Sequence, residues 1–191
     1  MEKIKIDPSA AYIYPMPVVL VGAVVEGKAN FMAVAWATRV NFKPPLFAVA
    51  IGPHYTSRGI EDNGEFTINI PGVSLMEKTD YCGLVSGVNK DKSQIFNIFY
   101  GELEKAPLIV ECPLSISLSL RDTVEMPSNK LFIGEPVEVF TERKYMNDDK
   151  PDITRMKPFM LTMPGNRYWS VGKEIGKAWS AGRVIRREGE N

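Results

Sequence analysis

The chain has 191 residues, of which 45% are hydrophobic, 24% charged and 10% aromatic, and its 23 basic residues balance its 23 acidic ones. That length buries enough surface for one domain without disulfides. The charge balance removes the electrostatic case for a nucleic-acid or polybasic membrane partner, so any anion must be gripped locally. We therefore expect a single domain over residues 1–191.

From the N-terminus, the longest apolar run is Val18 to Val25, too short to cross a bilayer. Asp7, Pro8, Pro15 and Pro17 interrupt its approach, and the small-x-small triplet Ala33-Val34-Ala35 lies beyond the charged Glu26-Gly27-Lys28. The expectation is a cytoplasmic protein. Val18–Val25 and Phe31–Thr38 flank Glu26-Gly27-Lys28-Ala29-Asn30, a five-residue loop with glycine that suits a hairpin. Leu46–Ile51 follows Pro44-Pro45 and closes at Gly52-Pro53, as another strand. A short helix is expected over Ser57–Asn63, ended by Gly64.

Phe66, Ile68 and Ile70 then alternate with Glu65, Thr67 and Asn69 before Pro71-Gly72 stops the strand. Ser74-Leu75-Met76-Glu77 has capping-box spacing, predicting a helix to about Ser86 with Gly87 at its stop. The clearest strand is Leu114–Leu120, with leucine and isoleucine on one face and only the hydroxyls of Ser115, Ser117 and Ser119 on the other. Leu131–Phe140 continues the pattern, and Gly134 and Pro136 within it predict a bend or bulge. Residues 145–158 read as a surface loop, and about 173–181 as a C-terminal helix closed by Gly182. Short, mostly antiparallel strands imply a barrel or sandwich: a mainly β fold with a few helices.

Four segments carry polar chemistry. His54-Tyr55-Thr56-Ser57-Arg58 offers two hydroxyls, a guanidinium and helix N-terminal N–H groups, which suit a phosphate or a plain helix cap. Asn30-Phe31-Met32-Ala33-Val34-Ala35-Trp36-Ala37-Thr38 has small residues that let backbone approach a flat ring, and it also reads as a barrel strand with a tryptophan. Ser86-Gly87-Val88-Asn89-Lys90-Asp91-Lys92 places lysines near a glycine stop, for an anionic ligand or as a solvated turn. Tyr168-Trp169 is suited to stacking, to core packing or to an interface. Two unclustered cysteines, Cys82 and Cys112, with the single His54 make no metal site and read as free thiols. Rossmann and Walker fingerprints are absent, as is a Gly-x-Ser-x-Gly elbow.

In order, these segments resemble the flavin-reductase-like family, flavoredoxins included. The resemblance runs through Tyr14-Pro15-Met16-Pro17-Val18-Val19-Leu20-Val21, then Asn30 to Trp36, then Lys43-Pro44-Pro45. It continues through Tyr55-Thr56-Ser57-Arg58-Gly59-Ile60 and Phe66-Thr67-Ile68-Asn69-Ile70-Pro71. Cys82-Gly83-Leu84-Val85-Ser86-Gly87, Asp91-Lys92 and Tyr168-Trp169 complete it. It departs at Ser93, where the family often has an aromatic. The resemblance implies a six-stranded, FMN-binding split β-barrel with Greek-key wiring, assembled as a homodimer. It implies FMN lined through backbone by Ala35, Trp36, Ala37 and Thr38, with Asn41 nearby. Thr56, Ser57 and Arg58 would hold the phosphate, with Ser86 and Lys92 contributing. No catalytic acid or base is required, because such a site works by tuning the flavin. The activity implied is an oxidoreductase taking electrons from NAD(P)H or another donor to free flavin, ferric iron or a protein. The alternatives are a flavoredoxin-type carrier without nicotinamide activity, and a non-catalytic flavin or haem module on the same barrel.

Overall fold

The computed structural model describes residues 2–183 and 185 of the chain. After β1 (Met16–Pro17), strands β2 (Val19–Val25) and β3 (Lys28–Val34) form a hairpin. Its turn is two residues, not five: Val25 pairs with Lys28, and Glu26 and Gly27 both have positive φ, 50° and 80°. That conformation is the type I′ turn, whose twist matches the flanking strands. β4 (Ala37–Asn41) and β5 (Leu46–Ile51) form the next hairpin. Helix α1 (Tyr55–Asn63) ends at Gly64 in the left-handed region, as expected, and leads into β6 (Glu65–Ile70).

Helix α2 (Met76–Leu84) starts later and ends earlier than capping-box spacing implied. Ser74 lies inside a preceding 3-10 turn, and Val85 is extended. The carbonyl of Cys82, freed in the last helical turn, accepts instead from Lys92. Short β7 (Ile98–Phe99) and β8 (Leu108–Ile109) pair with each other before the long hairpin of β9 (Leu114–Glu125) and β10 (Lys130–Thr141). The register of that hairpin shifts between Ile133 and Gly134 and again between Pro136 and Glu138, which are the predicted bulges.

Residues 145–158 are more ordered than a loop. They hold the hairpin β11 (Met146–Asn147) and β12 (Lys150–Pro151), then a one-turn helix α3 (Ile153–Met156) capped by Asp152. β13 (Phe159–Thr162) and β14 (Arg167–Ser170) join β1 in a small sheet. The expected helix at 173–181 does not form: 171–177 have no regular structure and 178–182 are turns. Its apolar residues Ile175 and Trp179 are fully exposed, and Gly176 interrupts it. So short a segment has no packing surface to offset the cost of helix nucleation.

The main sheet is antiparallel with strand order β3-β2-β6-β9-β10-β5-β4, seven strands where six were expected. Strands β5 and β6, neighbours in sequence, are separated in the sheet by β9 and β10, giving the Greek-key wiring. The sheet curls so that Val34 of β3 and Val49 and Ile51 of β5 share one core with Phe66, Ile68, Ile116, Leu118 and Phe132. Its end strands β3 and β4 are not hydrogen-bonded to each other. The fold is a split β-barrel.

The hydroxyl face of β9 is not a solvent face. Ser115 and Ser117 are buried beside Thr67 and Asn69 of β6. Thr67 Oγ1 donates to the Pro107 carbonyl (2.7 Å), and Asn69 Oδ1 accepts from Ile109 N–H (3.0 Å). These bonds dock the segment containing β7 and β8 over the outer face, satisfying the polar side chains it covers. Among the described residues no helix is long and apolar enough to cross a membrane.

Candidate functional site

The N-terminus of α1 is built by reciprocal bonds between His54 and Ser57. Ser57 Oγ donates to the His54 carbonyl (2.7 Å) and accepts from its N–H (3.1 Å). Ser57 is buried, so its hydroxyl is already engaged in capping. Thr56 is also buried, and its Oγ1 accepts from Asn30 Nδ2 at 2.6 Å, joining β3 to the first turn of α1. The N–H groups of Tyr55 and Thr56, in that first turn, have no acceptor within the helix. Arg58 lies outward, its Nη2 3.2 Å from Glu26 Oε1 and its guanidinium 5.6 Å from the Tyr55 ring centroid.

Against this helix end lies a cleft of about 350 Å³, whose walls include Met32, Ala33, His54, Thr56, Ser86 and Lys92. It continues into a smaller hollow of about 260 Å³ toward Glu26, Lys28 and Asp91, the two sharing Asn30, Tyr55, Gly87 and Lys92. Gly87 is required by close approach: a Cβ there would sit 2.6 Å from the Tyr55 ring and collide with Asn30 Oδ1. Lys92 is only 3% exposed and donates to the carbonyls of Phe31 (3.0 Å) and Cys82 (2.8 Å). Burial pushes its pKa down, with the nearby Cys82 opposing, and its bonds to protein groups are to backbone oxygens, not to a carboxylate. A buried cation without an anionic partner raises the positive potential of the cleft floor. Ser86 is exposed at the rim, where its Oγ accepts from Val88 N–H (3.3 Å).

Thr56, Ser86 and Lys92 thus meet at one cleft, while Ser57 and Arg58 stand behind and beside its helical wall. Ala35 is a bend directly after β3, and half-exposed Trp36 leads into β4. The Trp36 carbonyl accepts from Ala50 N–H (2.9 Å). Ala37 begins β4, and exposed Thr38 donates a long bond to the Arg39 carbonyl (3.4 Å). Asn41, at the far end of β4, donates to the Pro44 carbonyl (2.8 Å). These five positions, in the bend after β3 and in β4, are not among the residues lining the cleft. Asn30, Tyr55 and Gly87 line it but stood outside the expected residue set; an asparagine within the apolar run of β3 was the available signal.

Tyr168 and Trp169 are not among the residues lining the cleft. Tyr168 donates to Asp80 (2.7 Å) and packs edge-on against Phe159, tying β14 to α2. Trp169 Nε1 donates to Thr162 Oγ1 (2.8 Å). The donor set at the cleft, two free helix N–H groups, a serine and a buried ammonium, suits a phosphate.

The sequence profile of the flavin reductase like domain matches residues 11–156. The chain belongs to this family. It is similar to the flavoredoxin of Methanosarcina acetivorans, with 48% identity and a TM-score of 0.94 over 97% of this chain and 100% of that one. It is similar also to the flavoredoxin of Desulfovibrio vulgaris (Miyazaki F), at 36% identity and a TM-score of 0.87, covering 95% and 100% of the two chains. An uncharacterised protein of Aeropyrum pernix is 34% identical over 145 residues, 74% of this chain but 55% of that relative's length.

Proposed function

We propose that this protein binds FMN in the cleft at the N-terminus of α1 and serves as an electron-transfer flavoprotein of the flavoredoxin type. The observation that carries the reading is the convergence of the α1 N–H groups, Ser86 and buried Lys92 on one cleft beside β3. Thr56 and Ser86 would hold the phosphate, with Lys92 supplying charge from below, Ser57 keeping the helix end in shape and Arg58 adding charge from outside. The segment after β3, Ala35, Trp36, Ala37 and Thr38, would line the ring through backbone contacts, with Asn41 beyond it. Bound FMN supplies the redox chemistry, taking up electrons from a donor and releasing them to an acceptor. The chain's part is to orient the flavin and to stabilise its negative charge in the reduced form, so no nucleophile or general base is needed.

Similarity to two flavoredoxins along almost the whole chain favours the carrier. The second reading, an NAD(P)H-dependent flavin reductase delivering electrons to free flavin, ferric iron or a protein, is favoured by the family itself. In both readings we place the protein in the cytoplasm, where two free, buried thiols remain reduced. We also propose a homodimer, because exposed Trp36, Val40 and Phe42 leave an apolar stretch along the edge strand β4.

The test is the anaerobic visible spectrum of the FMN-loaded protein before and after NADH and then NADPH. Bands that stay oxidised with both nucleotides, yet bleach with a reduced redox protein, support the carrier. Bleaching by a nicotinamide establishes the reductase, and a protein that ignores FMN overturns both.

A further inference from the structure

Gly87 reads in the sequence as the stop of α2, and in the structure it is not one. The helix ends at Leu84 with Val85 extended after it, and the φ of Gly87 is not positive. Gly64, which does stop a helix, stands at φ 67° with open space where a Cβ would be. Gly87 is the reverse case: its backbone suits any residue, and only crowding excludes a side chain. A Cβ there would meet Tyr55 Cδ1 at 2.6 Å and Asn30 Cγ at 2.9 Å, well inside the separation of packed carbon atoms. The turn that contains it closes on Ser86, whose carbonyl accepts from Asn89 N–H (3.1 Å) and Lys90 N–H (3.0 Å) and whose Oγ accepts from Val88 N–H (3.3 Å). Beyond the turn the chain is fastened to β3: Asp91 pairs with Lys28 (3.2 Å), and Lys92 donates to the Phe31 carbonyl (3.0 Å).

We infer that Gly87 is a positioning residue for phosphate recognition: having no side chain, it lets the turn at Ser86–Lys90 seat on Asn30 and Tyr55 and so holds Ser86 beside the first turn of α1. The inference rests on the FMN reading above and adds the residue on which its selectivity for a phosphorylated flavin depends. Asn30 joins the two walls, because its Nδ2 donates to Thr56 Oγ1 while its Oδ1 lies against Gly87. A methyl group at position 87 must lift the turn away from α1 or rotate Asn30 off Thr56. Either movement separates Ser86 from the helix N–H groups that would share the phosphate. Met32 and Ala33, which line the same cleft, make no close approach to Gly87 and keep their places. Riboflavin, the same ring and ribityl chain without the phosphate, makes no use of the arrangement at Ser86.

The experiment is a fluorescence titration of the flavin-free protein with FMN and with riboflavin, repeated on Gly87→Ala. The wild-type protein is expected to prefer FMN by about tenfold or more, the margin of one or two charge-assisted hydrogen bonds. Gly87→Ala is expected to remove most of that preference by weakening FMN about tenfold, with riboflavin affinity unchanged. Equal weakening of both flavins would make Gly87 a packing residue of the whole cleft and overturn the inference, as would a variant that keeps the wild-type ratio. A second measurement needs no variant and decides the matter if Gly87→Ala does not fold. Amide hydrogen exchange in the wild-type protein should slow at Val88, Asn89 and Lys90 when FMN is bound and not when riboflavin is bound, because those N–H groups exchange only when the turn on Ser86 opens. Equal slowing by both flavins, or by neither, overturns the inference. A wild-type protein that does not bind FMN at all overturns the FMN reading itself, a different and separately visible result.

Discussion

The Asn30 side-chain amide donates to the Thr56 hydroxyl at 2.6 Å, and both residues are buried. This bond locks the middle of β3 to the first turn of α1, so the two walls of the cleft hold a common position.

Asn30→Ala breaks that lock and leaves the Thr56 hydroxyl buried without its partner. A lost buried hydrogen bond of this kind costs on the order of 1–3 kcal/mol. The melting temperature should fall by roughly 2–4 °C for each kcal/mol lost. FMN affinity should fall with it, because the helix end is no longer held against β3. Thermal melting and flavin titration check the two effects separately.

Gly59 faces β2 from α1. A Cβ there would lie 2.5 Å from the Val24 carbonyl oxygen and 2.8 Å from Val25 Cγ2. Gly59→Ala must push the helix off the sheet, at a cost on the order of 1–3 kcal/mol. Chemical denaturation should show a lowered midpoint with an unchanged slope. An unaltered midpoint would mean that α1 shifts freely.

Tyr168 gives an alkaline signature. Burial, then the hydrogen bond and charge of Asp80, push its phenol up to about 12 from an ordinary 10. The native state therefore keeps a proton that the unfolded state releases between those values. Its contribution to stability is complete below pH 10 and is lost as pH rises toward 12. Urea denaturation across pH 9–11 should show stability falling less steeply in Tyr168→Phe than in the wild-type protein. Parallel curves would remove Tyr168 from the alkaline loss.

Both thiols should be silent in the native protein. Cys82 is 1% exposed and burial pushes its thiol up to about 11, opposed by Lys92. Burial raises Cys112 further, with Glu111 adding to it. Reactivity requires an accessible thiolate. A disulfide-exchange reagent at pH 8 should label neither cysteine until denaturant is added and then label both. Prompt labelling of Cys82 would show that the cleft opens to its floor.

Local pattern was enough wherever one short stretch decided the outcome. The alternation at Phe66, Ile68 and Ile70 specified β6, Gly64 stopped α1, and Gly134 and Pro136 marked the bulges of β10. The order of the polar segments marked the family, which a profile match over residues 11–156 bears out. Tertiary structure alone decided the rest. Ser115 and Ser117 alternate like solvent-facing residues, yet they are buried, because Thr67 and Asn69 hold a second layer of chain above them through bonds to residues about 40 positions away. Residues 173–181 have helical spacing but no surface against which Ile175 and Trp179 pack, and propensity over so few residues does not hold a helix. The same holds for the cleft. Sequence named Thr56, Ser57, Arg58, Ser86 and Lys92, but only the packing of α1 against β3 and of the α2 end against Lys92 determined what each could touch. It left Ser57 as a cap, paired Arg58 with Glu26, and set Lys92 under the floor, because a polar group leaving water takes whichever partner the fold brings within reach.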